Sequence, residues 1–544
     1  MRVDSIYLNA NFITMDELRP RAQAVATLGD RIVAVGDIDD LSGLSPRRTV
    51  DLSGATVVPG FNDAHNHTLR LGMMLDELNL ESPPVRRLED ILDMISTRAA
   101  TVPEGSWIIG CRYDQNKLLE GRHPTADELT RIAPRHHVWL KHTSLHMAVV
   151  SRSVLDLIDV DETVVPGGGW VERDETGRAT GLLLENAQQL VAQLKFPHSI
   201  DSVTSAIARA GKQYASEGIT SCQEAGIGAG LATANPQELA AFSRSRDKGE
   251  LLTRTTLMVA VDALRNLAGH DSDLIDLGLD LGISSGLGDD TLRIGAVKIW
   301  ADGSLVGRTA AMNEPFAEDG DNVGYFLHEP EELFHLIRRV HRGGWQVATH
   351  AIGDRAVGAV LDIYDKVLRE TPRTDHRHRI EHCAVVDPLQ LKRIRNLGVI
   401  PVPQGRFVNE LGDGMADALG PERVAWCYRQ RSFLDEGIVV PGSSDRPVVN
   451  GAPLRGIADM VLRRTSSGQS FNERECVSAE DALRAWTVGS AYASFEERLK
   501  GRLRPGMLAD MTVLSKDILS IPTEQIPETE VVQTLLGGVA TYSA

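Results

Sequence analysis

Short apolar runs recur through the middle of the chain, most of them followed by a stretch with helix-like amphipathic spacing: "TTLMVAV" from Thr255, "LRIGAVKIW" from Leu292, "GWQVATH" from Gly344, "HRIEHCAVV" from His378, "LGVIPVP" from Leu397 and "GIVVPGSSD" from Gly437. Strand alternating with helix at this spacing predicts parallel βα units. Two further runs, "ATVVPGFNDAHNH" from Ala55 and "GITSCQEAG" from Gly218, bring the strand-like segments to eight. Eight βα units close into a TIM-type (β/α)8 barrel, so the predicted class is α/β.

The two ends of the chain have a different rhythm. "SIYLNANFITM" and "AQAVATLGDRIVAVGD" alternate in the manner of short strands, and Gly29-Asp30 reads as a hairpin turn between two apolar runs. "ADMTVL" (Ala509 to Leu514) and "VVQTLLGGVATY" (Val531 to Tyr542) close the chain with the same signal. A small β-sandwich module formed by both ends is expected, with residues 1–58 as its N-terminal part and 496–544 as its C-terminal part. The stretch from about Leu75 to about Ser202 breaks the βα rhythm and carries turn-rich segments such as "VVPGGGW" at Val164 to Trp170. It predicts an inserted α/β domain on the substrate side over 76–202, leaving 59–75 and 203–495 for the barrel.

Composition narrows the function classes. The 544 residues are ample for several domains. Acidic residues number 75 against 57 basic, for a formal charge of −18, and no basic block could track phosphates. Neither nucleic acid nor a membrane is expected as a partner; a small-molecule substrate is, with a homodimer left open. Cys111, Cys222, Cys383, Cys427 and Cys476 are few, odd in number and scattered, unlike a disulfide framework. No basic segment with an apolar run opens the chain, and no stretch reaches the length of a membrane span, so a cytoplasmic location is expected.

Candidate chemistry sits at the ends of the apolar runs. Asp63-Ala64-His65-Asn66-His67 follows "ATVVPG", and in an extended chain His65 and His67 share one face. A His-x-His pair also occurs in ordinary strands; here it falls at a C-terminal strand end, where barrel sites are built. His350, His382 and Asp445 each end another run. Singly, these would be structural histidines and a helix cap. Together they are what a divalent transition metal needs, with a carboxylate placed as general base for a water. Lys298 shares a strand face with Leu292, Ile294, Ala296 and Trp300. A buried ammonium needs a partner. Either Lys298 pairs with Asp302 or another acid, or its neutral amine has added carbon dioxide to give a carbamate that bridges two metal ions.

The set His65-x-His67, Lys298, His350, His382 and Asp445 resembles the metal-ligand pattern of the amidohydrolase superfamily. More narrowly, the chain resembles amidohydrolase family 3, which includes N-substituted formamide deformylases. Matching stretches run from "VVPGFNDAHNH" through "GCRYDQ", "SLHMAVVSRSVL", "VKIWADGSLVGRTAAM" and "ATHAIGDRAV" to "RIEHCAVV", "GSSDRPV" and "KGRLRPGMLADMTVL". The resemblance implies one metal on His65 and His67, another on His350 and His382, a carbamate on Lys298 between them, and Asp445 as both ligand and proton acceptor. One or two ions are implied, Zn2+ first among them. Two departures stand out: Arg446 follows Asp445 where a small residue is usual, and Leu145 precedes His146 where Gly is usual. Tyr113, His146, Trp170, Trp300 and Arg308 are candidates for the substrate pocket.

The activity expected is hydrolysis of a C–N bond in a small non-peptide amide by metal-activated water, an N-substituted formamide being the first class to consider. Deamination of an amino-substituted heterocycle and cyclic amide hydrolysis use the same machinery and stay open. So does a catalytically inactive barrel that only binds.

Overall fold

A computed structural model of the chain describes residues 1–143, 146–166, 169–229 and 232–544. Two compact units divide it, one of Met1–Thr68, Ile207–Leu231 and Pro236–Ala544, the other of Leu69–Ala206 and Ala232–Asn235.

Seven parallel strands form the barrel of the first unit: β1 (Phe61–Asn66), β2 (Ile219–Ile227), β3 (Arg254–Ala260), β4 (Leu292–Trp300), β5 (Val347–Ala351), β6 (Arg379–His382) and β7 (Ile400–Val402). Each pairs with the next in sequence order. From Ala296 onward the side chains of β4 alternate as the pattern predicts, but Ile294 packs with Val297 and Ile299 because the register against β3 shifts between Ile294 and Val297. Val297 and Ile299 pack into the large apolar layer shared with helices Pro330–Arg342 and Asp354–Glu370. Ala296 packs in a small inner cluster with Ala225 of β2, Met258 of β3 and Ala348 of β5. The helices follow from local chemistry. In Asp354–Glu370, the residues Ala356, Val357, Val360, Leu361, Tyr364 and Val367 put one apolar stripe against the strands. In Pro388–Leu397, Asp387 caps the amides of Leu389 and Gln390, and Gly398 ends the helix at φ +66°.

The eighth expected strand is corrected. Residues 437–445 have no regular strand conformation, although they lie beside β1: Ala64 N–H donates to Gly442 O (2.9 Å), Asp445 N–H to His65 O (2.7 Å) and His67 N–H to Arg446 O (2.9 Å). Proline explains why a ladder fails on the other side. Pro401, Pro403 and Pro441 have no N–H to give, and side chains replace the ladder, with the Ser443 hydroxyl donating to Pro403 O at 3.0 Å.

Both chain ends join one eight-stranded sheet, in which Met511–Leu514 pairs with Thr56–Pro59 and with Val531–Leu536. Gly29, at φ +60°, makes the turn between Arg21–Leu28 and Arg31–Gly36. The second unit, taken by itself, is a six-stranded sheet in the order Gly169–Arg173, Ala179–Glu185, Met147–Val150, His137–His142, Trp107–Tyr113, Leu78–Asn79. Helices Leu88–Ala99 and Ala126–Ile132 cover it through Ile91, Ile95 and Leu129. All five cysteines are free thiols, and no helix among the described residues is long and apolar enough to cross a membrane.

Candidate metal centre

The strand ends of the barrel bring His65, His67, Lys298, Trp300, His350, His382 and Asp445 to one cavity of about 360 Å³. Parallel strands make this arrangement: every C-terminal end points the same way, so residues far apart in sequence share one rim. His382 (φ +67°) and Asp445 (φ +54°) take left-handed backbone conformations at that rim, a strain that surrounding structure must hold.

Three of the four imidazoles are anchored through one nitrogen. His65 Nδ1 is hydrogen-bonded to Glu381 Oε2, His382 Nδ1 lies 2.8 Å from Gln404 Oε1, and His350 Nε2 lies 3.0 Å from Gly303 O. His67 Nδ1 lies 4.0 Å from Glu224 Oε1. Fixing one nitrogen sets the ring's orientation and tautomer and leaves the other nitrogen as a ligand. The rings lie close, with centroids 5.6 Å apart for His65 and His67, 5.2 Å for His65 and His382, and 4.5 Å for His350 and His382. His65, His67 and Asp445 each offer a ligand atom, all within 4.8 Å of one another. Asp445 Oδ1 stands 3.3 Å from His65 Nε2 and 3.1 Å from His67 Nε2. His65 Nε2 is buried and has no hydrogen-bond partner among the described residues. An orphaned imidazole nitrogen beside a second imidazole and a carboxylate fits a divalent metal ion.

The electrostatics agree with that fit. Burial, with Lys298 nearby, pushes His350 down to about 3; burial and His350 hold His382 well below its ordinary value. Both rings are neutral and keep their lone pairs at neutral pH. Burial works against the Asp445 charge, yet His65 and His67 beside it hold its carboxyl well below the usual range. Burial pushes Lys298 down to about 8 against the pull of Glu381 and Asp445, and its Nζ sits 5.5 Å from the Trp300 ring centre.

Several supporting residues escaped the sequence reading. Arg379 Nε and Nη2 clasp Glu381 at 2.7 and 2.9 Å, and Nη2 also reaches Ala64 O at 2.8 Å, tying β6 to β1. Although burial opposes its charge, Arg379 and His65 keep the Glu381 carboxyl far below its ordinary value. Arg379 and Glu381 were visible as a pair of opposite charges two apart in an apolar strand. Gln404, Phe407 and Tyr428 had no such signal. Asp63, quoted above with the His-x-His pair, accepts Ser444 N–H at 3.0 Å and its hydroxyl at 2.5 Å, and burial lifts its carboxyl to about 6 despite those bonds.

Asp302 is not the partner of Lys298. It accepts the amides of Ala311 (2.9 Å), Ile352 (3.0 Å) and Gly353 (2.8 Å), joining the loops after β4 and β5. Arg446 does not face the cavity either. It is 3% exposed, is paired with Glu217, and lies over the Tyr214 ring, where Gly451 gives it room, since a Cβ there would stand 2.1 Å from its Nε. Of the substrate-pocket candidates, Trp300 lines the cavity; Arg308 donates instead to Ala317 O at 3.1 Å. Tyr113, His146 and Trp170 belong to the other compact unit. There Tyr113 is buried with its hydroxyl 3.0 Å from His123 Nδ1, His146 Nδ1 lies 2.8 Å from Glu185 Oε2, and Trp170 is exposed. Leu145 lies outside the described residues.

A barrel whose strand ends gather four imidazoles, a lysine and a carboxylate is the frame of a metal-dependent hydrolase. The amidohydrolase family profile matches residues 48–542. The chain belongs to that family and is a hydrolytic enzyme acting on C–N bonds. It is 30% identical over 539 residues to YtcJ of Bacillus subtilis (strain 168), covering 97% of each chain. It is 29% identical over 556 residues to N-substituted formamide deformylase of Arthrobacter pascens, covering 99% of this chain and 98% of that one. A crystal structure of an uncharacterized metal-dependent hydrolase from Pyrococcus horikoshii OT3 superposes with a TM-score of 0.76 at 26% identity, covering 96% of this chain and 99% of that one.

Proposed function

We propose that the protein hydrolyses a small non-peptide amide, an N-substituted formamide being the first substrate class to test. The observation that carries this is the convergence of four imidazoles, three of them anchored through one nitrogen, with Lys298 and Asp445 in one cavity. The formamide class draws its support from the likeness to N-substituted formamide deformylase.

His65 and His67 would hold one divalent ion and His350 and His382 another; zinc suits such nitrogen-rich donor sets. Lys298, buried and inward-facing, would add carbon dioxide through its neutral amine with loss of one proton, and the resulting carbamate would offer a further anionic ligand to the metal. When bound, the metal supplies an activated water and polarises the scissile carbonyl. Asp445 takes a proton from the attacking water and delivers it to the leaving nitrogen, so that an amine departs and an acid remains. The bonds of Asp445 N–H to His65 O and of Ser444 to Asp63 hold that carboxylate beside the β1 histidines. The division into an end module, a barrel and an inserted domain over 76–202 is proposed on the same footing, with limited proteolysis at the boundaries as its check.

Elemental analysis of protein purified without chelator, combined with a panel of formamides, other amides and amino-substituted heterocycles, tests the reading. At least one equivalent of zinc and release of formate or another acid are expected. Ammonia from the heterocycles with no amide turnover would replace it with a deaminase. Lys298→Ala is expected to lose turnover and to regain part of it with a short carboxylic acid; a free amine at Lys298 in metal-loaded protein would sink the carbamate.

A further inference from the structure

The cavity is unevenly built. One side carries the ligand set, and the rest of its described lining has no aspartate, glutamate, arginine or lysine. Leu305, Ile352, Phe407, Met415 and Tyr428 form that wall and pack with Val408, Leu419 and Val449 behind them in one apolar cluster. The wall begins at the metal ligands themselves: the Phe407 ring stacks on His382 with centroids 6.2 Å apart, and Tyr428 meets Phe407 edge-on at 6.1 Å. Tyr428 is held in place with φ +49° while only 1% exposed, another sign that the wall's shape is imposed by its surroundings.

Three arginines beside lining residues in the sequence, or once expected in the pocket, could have greeted an anionic substituent, and each is committed elsewhere. Arg406, next to Phe407, is paired with Asp459 (2.5 Å) and Glu410 (2.7 Å). Arg446, next to Asp445, is paired with Glu217, and Arg308 lies 3.5 Å from Asp319. A charged group placed against this wall would lose its water and gain no oppositely charged partner among the described lining residues.

Resting on the reading of this centre as an amide-hydrolysing metal site, we propose that its substrate is an uncharged C–N compound whose substituent is an alkyl or aryl group seated against Ile352, Phe407, Met415 and Tyr428. Selection is then by desolvation: an apolar substituent gains from leaving water, and a carboxylate or ammonium of the same length is penalised.

Matched pairs of probes test this on the full-length, zinc-loaded protein. Hexanohydroxamic acid and adipic acid monohydroxamate carry the same metal-seeking head on an apolar and an anionic tail of equal length, and calorimetry reads their binding without turnover. The apolar probe is expected to bind at least about tenfold tighter, the scale on which apolar pockets discriminate. Equal binding, tighter binding of the anionic probe, or no binding of either overturns the proposal. Val306 also lines the cavity and is 51% exposed, so Val306→Lys is a substitution the fold tolerates. It should narrow the preference; an unchanged ratio in folded protein counts against the wall as the selecting surface. N-hexylformamide and N-(5-carboxypentyl)formamide give the same comparison in kcat/KM. If the hydroxamates discriminate while neither these formamides nor the matching acetamides are cleaved, the apolar selection stands and the amide-hydrolase reading fails.

Discussion

Two groups of histidines lie buried in the same barrel unit, and they are built to opposite ends. His65, His67, His350 and His382 gather at the C-terminal strand ends, three of them held through one nitrogen, with His65 Nε2 left without a partner among the described residues. His341, His376 and His378 gather beside the opposite ends of β5 and β6, and all six of their ring nitrogens are engaged. His341 Nδ1 meets His378 Nε2 at 2.8 Å, His341 Nε2 meets Thr371 O at 2.8 Å, and His376 Nε2 meets Leu397 O at 2.8 Å. Val347 N–H donates to His378 Nδ1 at 3.1 Å and His378 N–H to His376 Nδ1 at 2.9 Å. Burial and neighbouring histidines hold His378 far below its ordinary value, as burial does His382. Burial and neutrality therefore do not separate the two groups; the orphaned His65 nitrogen, set beside a second imidazole and a carboxylate, does.

The contrast can be broken most forcefully at His65. His65→Ala should strip metal from the protein and abolish turnover, whereas His376→Ala should leave the metal content of the folded protein unchanged; equal metal loss in both variants would erase the distinction. Asp445→Asn comes next. Losing a general acid–base group costs about a hundredfold or more in kcat, with the fold kept and substrate affinity little changed. Turnover within a few fold of the parent would move the proton-transfer role elsewhere. Glu381→Gln sharpens the comparison from the supporting side. Removing the carboxylate that Arg379 clasps and His65 leans on should weaken metal affinity about tenfold or more, read by competition with a chelator in the apo and loaded protein.

The smallest effect is expected from the structural cluster and concerns pH. Burial pushes His341 down to about 4 in the folded protein, against about 6.5 when unfolded. The unfolded chain thus binds the extra proton first, so the stability from this group is complete above about pH 6.5 and is lost as pH falls towards 4. His341→Asn cannot titrate, and its melting temperature should depend less steeply on pH across that window; parallel curves for variant and parent would show that His341 carries none of the acid sensitivity.

Much of the barrel was legible because period-2 apolar runs and amphipathic helices report local geometry. β4 is the clearest case, its alternation placing Ala296 inside and Val297 outside. The segment 437–445 shows the limit of that signal, since its apolar run looked like an eighth strand while Pro401, Pro403 and Pro441 deny it a ladder. Arg446 and Asp302 show another limit. Their charges were readable, but their partners, Glu217 for one and the amides after β4 and β5 for the other, lie far away in sequence.

The chain's own pattern therefore determined the βα order, the polar residues at the strand ends and the family to which they belong, because each is written in spacing along the backbone. Tertiary structure alone decided which nitrogen of each imidazole is spent, which arginines are silenced and which wall faces the metal ligands. Those depend on where the barrel places groups dozens to hundreds of residues apart, as with His65 and Glu381, or Arg379 and Ala64. Spacing along a strand carries no record of such distances; only the closing of the barrel sets them.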